Sequence, residues 1–157
     1  MADLTVTLDE DITVKGHQYG GNKTITITGI NEVFKRVVTC PGNAETTIAH
    51  FHSSVADGTL APLDTQETKY IRVTNLDITN GITLSLQVDV GEDDSAADES
   101  ASLLLGPQET FMLGTPHDAI GVSDANANLV TDLQDLESIV VQPGTNTINV
   151  EILVAGS

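Results

Sequence analysis

Short runs in which apolar and polar residues alternate constrain the fold of this chain more than any other feature of its sequence. The alternation is strictest in Leu4–Leu8, Lys23–Thr28 and Ile82–Val88. Successive side chains of a β-strand point to opposite faces, so a period of two predicts strands that bury one face. Gly, Pro, Asn and Asp separate the runs at short intervals. The sequence therefore predicts an all-β chain, with residues 1–157 forming a single antiparallel β-sandwich or jelly roll of about eight to ten short strands.

Turn signals lie between most of the predicted strands. Asn80-Gly81 is the strongest, because both residues tolerate the positive φ angles that two-residue hairpin turns require. We therefore expect the strands on either side of Asn75–Gly81 to form a hairpin. Gly106–Glu109 is expected to be a second tight turn, and Gly20–Lys23 is expected to be the turn of an N-terminal hairpin.

One segment departs from the period of two. Ala125–Leu136 has four apolar side chains at helical spacing, and Asp124 precedes it as a candidate N-cap. We expect at most one short helix in the chain, and we place it in this segment.

The charge of the chain excludes two classes of partner. Its 157 residues include 6 Lys and Arg against 23 Asp and Glu, which gives a formal net charge of −17. Nucleic acids and anionic membranes attract clustered basic side chains, so we expect neither as a partner. The sequence shows no signal-peptide pattern and no apolar run of about 20 residues. We therefore expect a soluble protein made in a cytoplasm.

Basic and acidic residues are unevenly distributed along the chain. All six basic residues lie within residues 1–72, whereas residues 73–157 contain 14 acidic residues and no basic one. One hypothesis is that the first half faces a partner and the second half faces solvent. The competing interpretation is that surface acid serves solubility alone. The candidate contacts with an acidic protein surface are Lys35, Arg36, Lys69 and Arg72.

The sequence contains no catalytic motif of high specificity. Nucleophile-elbow, phosphate-loop and zinc-protease signatures are all missing. The single cysteine, Cys40, precludes an intramolecular disulfide and is predicted to be a buried, unreactive thiol at the end of a strand. The acidic segment Gly91–Ser100 is interpreted as a solvated hairpin tip, because its spacing matches no calcium-binding loop.

Four residues carry the one candidate metal site. His50 and His52 alternate in a predicted strand, so both imidazoles point to the same face. Asp57 follows them, and His117 lies in a later glycine-spaced turn. This arrangement resembles the two motifs of cupins, small jelly-roll proteins in which a His-x-His pair, an acid and a later His bind Fe, Mn, Ni or Zn. The chain departs from that pattern at the acid, which is Asp instead of Glu, and twice in the second motif.

Four further stretches resemble small virion structural proteins of marine tailed bacteriophages, namely Thr26–Val38, Tyr70–Asp77, Leu105–Leu113 and Asn149–Ala155. The resemblance implies a non-enzymatic capsid-associated or tail-associated β-protein without a cofactor. Within that class, the small size and acidic surplus are most similar to a decoration (cement) protein on the outer head, with a tail or neck component as the alternative. The implied partners are the major capsid protein, other virion proteins and further copies of the chain. The implied location is the capsid exterior, after assembly in the host cytoplasm.

Overall fold

The computed structural model describes residues 1–52, 63–89, 99–123 and 130–157, and these contain thirteen β-strands and no helix. The strands are β1 (Ala2–Glu10), β2 (Thr13–Val14), β3 (His17–Gln18), β4 (Gly21–Ile30), β5 (Glu32–Cys40), β6 (Thr46–His52), β7 (Leu63–Asp64), β8 (Thr68–Asn75), β9 (Ile82–Asp89), β10 (Glu99–Leu105), β11 (Thr110–Leu113), β12 (Asp135–Pro143) and β13 (Ile148–Gly156). The predicted all-β class is confirmed.

Nine of these strands form a sandwich of two sheets. One sheet has the order β10-β9-β12-β6-β7, and the other has the order β11-β8-β13-β5. From β5 onward, and leaving the short edge strand β7 aside, each strand passes to the opposite sheet except at the β9–β10 hairpin. This order is that of a jelly roll, eight strands arranged as two Greek keys. The predicted antiparallel β-sandwich is therefore confirmed, with β7 pairing in parallel with β6 as the exception to antiparallel pairing.

Alternating side chains of both sheets form the core between them. In β13, Ile148, Val150 and Ile152 are no more than 1% exposed, whereas the residues between them point outward. Phe51 of β6 and Cys40 of β5 lie in the same core. Burial raises the pKa of the Cys40 thiol, since a thiolate is poorly solvated there. The prediction that Cys40 is buried is confirmed.

The connection predicted to be a hairpin is a crossing between the sheets. β8 and β9 lie in different sheets. Neither Asn80 nor Gly81 adopts the positive φ that a two-residue hairpin turn needs. The Asp77 carboxylate instead accepts hydrogen bonds from the backbone N–H groups of Thr79 (2.8 Å) and Asn80 (2.6 Å). This local turn directs the chain away from β8 and into the other sheet.

Hydrogen bonds of the Asn75 side chain link this crossing to the one between β10 and β11. This side chain is fully buried, and Nδ2 donates to the backbone oxygens of Asn80 (2.8 Å) and Gly106 (2.9 Å). Its Oδ1 accepts a hydrogen bond from the Asp77 backbone N–H at 3.0 Å. Gly106 follows β10, so one buried amide joins the β8–β9 crossing to the β10–β11 crossing.

The described part of Ala125–Leu136 is not helical, and the prediction of a helix there is wrong for those residues. Residues 124–129 lie outside the described ranges. Gln134 pairs with Ile120 in an isolated bridge, and Leu136 belongs to β12. Its backbone N–H donates to the Pro116 oxygen at 3.1 Å. Extended pairing therefore places Leu136 in the core, where a helical face was expected.

Residues 1–30, here called the ribbon, form a separate two-stranded arm. β1 pairs with β4, and β2 pairs with β3 farther out. The chain reverses at Lys15 and Gly16, whose φ angles are 51° and 81°. The turn predicted at Gly20–Lys23 is therefore misplaced. Gly20 is needed for another reason, because a Cβ there would lie 1.8 Å from the backbone oxygen of Glu10.

Replacing the buried amide tests its role in the crossings. We expect Asn75→Ala to lower the free energy of unfolding by about 2–4 kcal/mol, because a fully buried amide is removed and three backbone groups lose their hydrogen bonds to it. Urea unfolding measures the change. Asn149→Ala is the matched control, since Asn149 is exposed on β13 and bonds only Thr39 through its side chain. A loss in Asn75→Ala no larger than in the control would contradict this role.

The turn at Asp77 should contribute to acid sensitivity. The N–H groups of Asn80 and Thr79 hold the pKa of Asp77 below its ordinary value of 3.8. A depressed folded pKa stabilises the fold above pH 3.8 and ceases to do so as the pH falls through the folded value. The melting temperature of Asp77→Asn should thus lie below that of the wild type at pH 6, and the gap should narrow below pH 3.8. A gap of constant size across this range would contradict the assignment.

Candidate interaction surface

The described members of the predicted metal site do not form one cluster. His50 and His52 share a face of β6 as predicted, and their ring centroids are 4.4 Å apart. His50 Nε2 lies 3.6 Å from Glu137 Oε1 on the neighbouring strand β12. Asp57 lies outside the described residues. His117 lies in the β11–β12 connection and contacts a different pair of carboxylates.

His117 lies between two acidic side chains. Its Nδ1 is 2.8 Å from Asp135 Oδ1, and its Nε2 is 3.2 Å from Asp118 Oδ2. Asp135 Oδ1 also accepts the backbone N–H of Asp118 at 2.7 Å. Within the described ranges, these three residues are the only set of three or more ligand groups whose atoms lie within 4.8 Å of one another.

The arrangement at His117 is adequate as a structural contact. Asp135 is the first residue of β12, so its bonds hold the preceding connection to the start of that central strand. The side chains of His117 and Asp118 are 40% and 65% exposed, so water competes for both. Asp118 directly follows His117, whereas Asp135 is distant in sequence, and no spacing motif indicates their proximity. The set gives no support to the four-ligand site implied by the cupin resemblance.

The four basic residues predicted to contact a partner all belong to the four-stranded sheet, but they lie in three different environments. Lys35 and Arg72 both lie on the outer face of the four-stranded sheet, and both pair with Glu151, to which Lys35 Nζ is 3.2 Å away. Arg36 lies on the other side of β5, 5.0 Å from the Phe34 ring centroid.

The fourth basic residue supports the ribbon. Lys69 Nζ lies 3.4 Å from the backbone oxygen of Thr28 and 3.5 Å from that of Gly29. Lys69 therefore contacts the base of the ribbon, where the chain passes towards β5. Of the four predicted residues, only Lys35 and Arg72 converge on one another.

Charge separates by sheet and not by halves of the sequence. The strands of the four-stranded sheet contain four basic and two acidic residues, whereas those of the five-stranded sheet contain acidic residues and no Lys or Arg. β11 and β13 come from the acidic half of the sequence, yet they lie in the basic sheet. The hypothesis that the two halves face opposite ways is therefore wrong, because the jelly roll interleaves them.

The ribbon has two faces of opposite character. Paired residues of β1 and β4 share a face, so Thr5 lies beside Thr26 and Thr7 beside Thr24 on the polar side. Farther out, Gln18 Nε2 donates to Asp11 Oδ1 at 2.7 Å, which extends the polar side towards the turn. The opposite side carries the apolar residues Leu4, Val6, Leu8, Ile12, Val14, Tyr19, Ile25 and Ile27. It also carries Glu10 and Lys23, the register partner of Leu8.

The sandwich covers only the base of this apolar face. Leu4, Val6 and Ile27 pack in a small cluster with Tyr70 and Ala155 of the four-stranded sheet. The remaining members are exposed, namely Leu8 (47%), Ile12 (52%), Val14 (44%), Tyr19 (68%) and Ile25 (52%). A two-stranded ribbon is marginally stable alone, and a contiguous exposed apolar surface marks an interaction site. The uncovered ribbon is the strongest candidate functional surface in the described residues.

A second uncovered apolar surface lies on β5. Val33 and Val37 are 62% and 56% exposed, and Lys35 lies between them on the same face. We call these three residues the β5 strip. The alternation of β5 is visible in the sequence, but a period of two does not reveal which face stays uncovered.

An open groove of about 600 Å³ lies between β5, β7 and β13. Phe34, Leu63 and Val154 supply its apolar lining. Its carboxylates include Asp64, whose Oδ1 accepts the backbone N–H of Gln66 at 2.8 Å. That contact shapes the turn after β7, so it explains the acid without a ligand.

No family model, curated protein or solved structure matches this chain. Within the described ranges, no helix is long and apolar enough to cross a membrane. The function therefore has to be argued from the surfaces described above.

A pair of isoleucines on β4 tests how far the sandwich covers the ribbon. We expect Ile27→Thr to destabilise the protein by about 1–2 kcal/mol, because Ile27 packs against the sandwich. Ile25→Thr should change stability by less than about 0.5 kcal/mol, because that side chain is exposed. Thermal unfolding of dilute protein measures both. Equal losses would contradict the boundary drawn between the covered base and the free part.

Proposed function

We propose that this protein is a non-enzymatic virion structural protein, most specifically a decoration (cement) protein on the outer surface of a tailed-phage head. The observation that carries the proposal is the ribbon, whose apolar face extends beyond the part of the sandwich that covers it. Such a face favours a protein that is completed by neighbours in an assembly.

The separation of charge supports an orientation on a shell. The basic four-stranded sheet suits contact with an acidic capsid surface, through residues that include Lys35, Arg36, Lys69 and Arg72. The acidic five-stranded sheet then faces solvent, where like charge keeps particles apart. The proposed partners are accordingly the major capsid protein or other virion proteins.

The fold is compatible with this role without selecting it. Jelly rolls occur in viral capsid proteins, lectins and cupins alike, so the strand order alone does not assign a function. A tail or neck component would use the same surfaces, and only its position in the particle separates the two roles. In the described ranges, the histidines favour neither role.

The direct test is the composition of purified particles. Mass spectrometry should find this chain in a fixed ratio to the major capsid protein, and a density map should place it outside the head. Absence from purified particles would overturn the proposal. A position on the tail or neck would keep the virion role and replace the decoration role.

A salt titration tests the orientation. Raising salt from about 0.1 M to 1 M shortens the Debye length from about 10 Å to 3 Å, so a contact dominated by charge should release the protein from particles. Arg36→Glu should lower the salt concentration needed for half release, because it reverses charge on the basic sheet. Ser102→Glu is the control, since it adds negative charge on β10 of the acidic sheet, away from the basic sheet and the ribbon. Full retention at 1 M salt by both variants would contradict docking through the basic sheet.

A further inference from the structure

We infer that the uncovered apolar face of the ribbon docks on the β5 strip of a second copy of this chain. The inference rests on the proposed function only in that both need a multi-copy assembly. The partner is a second copy, and Glu10 of one copy and Lys35 of the other align the two surfaces.

The chain already contains a contact of this kind. At the ribbon base, Leu4 and Ile27 pack near Ala155 on the outer face of the four-stranded sheet. Val33 is the register partner of Ala155, so it lies on the same face one strand away. The β5 strip is therefore continuous with a surface on which the ribbon packs, and it lies uncovered at the sheet edge.

The two uncovered surfaces match in spacing. On the ribbon, Leu8 and Glu10 share a face of β1 through its regular pairing with β4, and Lys23 lies beside Leu8 as its register partner. β1 ends at Glu10, so Ile12 lies beyond the strand. On β5, Val33, Lys35 and Val37 occupy alternate positions. Each surface therefore presents an apolar and a charged side chain two positions apart, about 7 Å along the strand.

The charges of Glu10 and Lys35 are opposite. Lys35 and Arg72 share the single carboxylate of Glu151, so among the described strand residues of this outer face two positive charges meet one negative charge. Lys35 remains 54% exposed and within reach of another molecule. Glu10 of a second copy would supply the missing negative charge. The flanking leucine and valines would lose their contact with water in the same step.

The contact also changes which basic residues are left to bind the shell. It moves Lys35 from the shell contact proposed above to a neighbouring copy, and the shell contact is then left to Arg36, Lys69 and Arg72. Exchange of ribbons between two copies gives a closed dimer, and transfer around a ring gives a larger closed oligomer. Both use the same pair of surfaces.

Charge reversal in the purified full-length chain tests the pairing. Sedimentation velocity over a concentration series should show that the wild type self-associates. Glu10→Lys and Lys35→Glu should each weaken association at least about tenfold, because like charges meet across the contact. The double variant should regain most of the affinity. An equal mixture of the two single variants should also regain it, since both contacts between unlike copies are then of opposite charge.

Asp9→Lys is the matched control. Asp9 is exposed, adjacent to Glu10 and on the polar face of the ribbon, so the same change of charge should leave association unaltered. Circular dichroism confirms that each variant is folded. The inference is overturned by a wild type that stays monomeric up to about 1 mM. It is also overturned by a failure of the mixture to associate, or by an equal loss in Asp9→Lys.

The outcomes separate this inference from the proposed function. A chain that is monomeric in solution but present in particles overturns the self-contact and leaves the virion role standing. If Glu10→Lys lowers occupancy on particles while the free protein is monomeric, the ribbon binds a shell protein instead. A self-associating chain that is absent from particles supports the self-contact and overturns the virion role.

Discussion

The hydrogen bonds of the buried Asn75 amide are the constraint on which the rest of the structure depends. A jelly roll repeatedly carries its chain from one sheet to the other, and each crossing brings backbone polar groups to the end of a dry core. Asn75 satisfies groups from the crossings after β8 and after β10, and it also accepts from Asp77. With those groups paired, the two sheets can close on an apolar interior whose largest members are no longer in contact with water.

The two sheets of the sandwich bury their shared core, so the apolar side chains that stay exposed lie outside it. The ribbon buries its apolar face only at its base, and the β5 strip beside that contact is exposed to solvent. The five-stranded sheet presents acid and histidine instead, including His50 beside Glu137. The two outer faces therefore differ in both charge and polarity. Two faces that differ in this way can orient a molecule against a charged partner, which a uniformly acidic surface cannot do.

Period-two alternation predicted most strands of the ribbon and the sandwich, because side-chain direction in a strand is a local property. What covers each face is not local, so Ile25 and Ile27 look alike in the sequence although only Ile27 packs on the sandwich. The same limit explains the Asn80-Gly81 error, since the distant Gly106 backbone shares in fixing that connection through the buried amide. The acids around His117 were missed for a related reason, because Asp135 reaches it only through the fold.

The charged residues Glu10 and Lys35 of the two uncovered surfaces have a physical role of their own. A purely apolar ribbon face would bind any apolar strand edge and aggregate. Glu10 and Lys35 restrict that choice, because burying either one without a partner of opposite charge costs more than its apolar neighbours return. The pair thus contributes selectivity and alignment more than affinity. The chain has few basic residues, and the fold places one of them, Lys35, in the centre of the β5 strip.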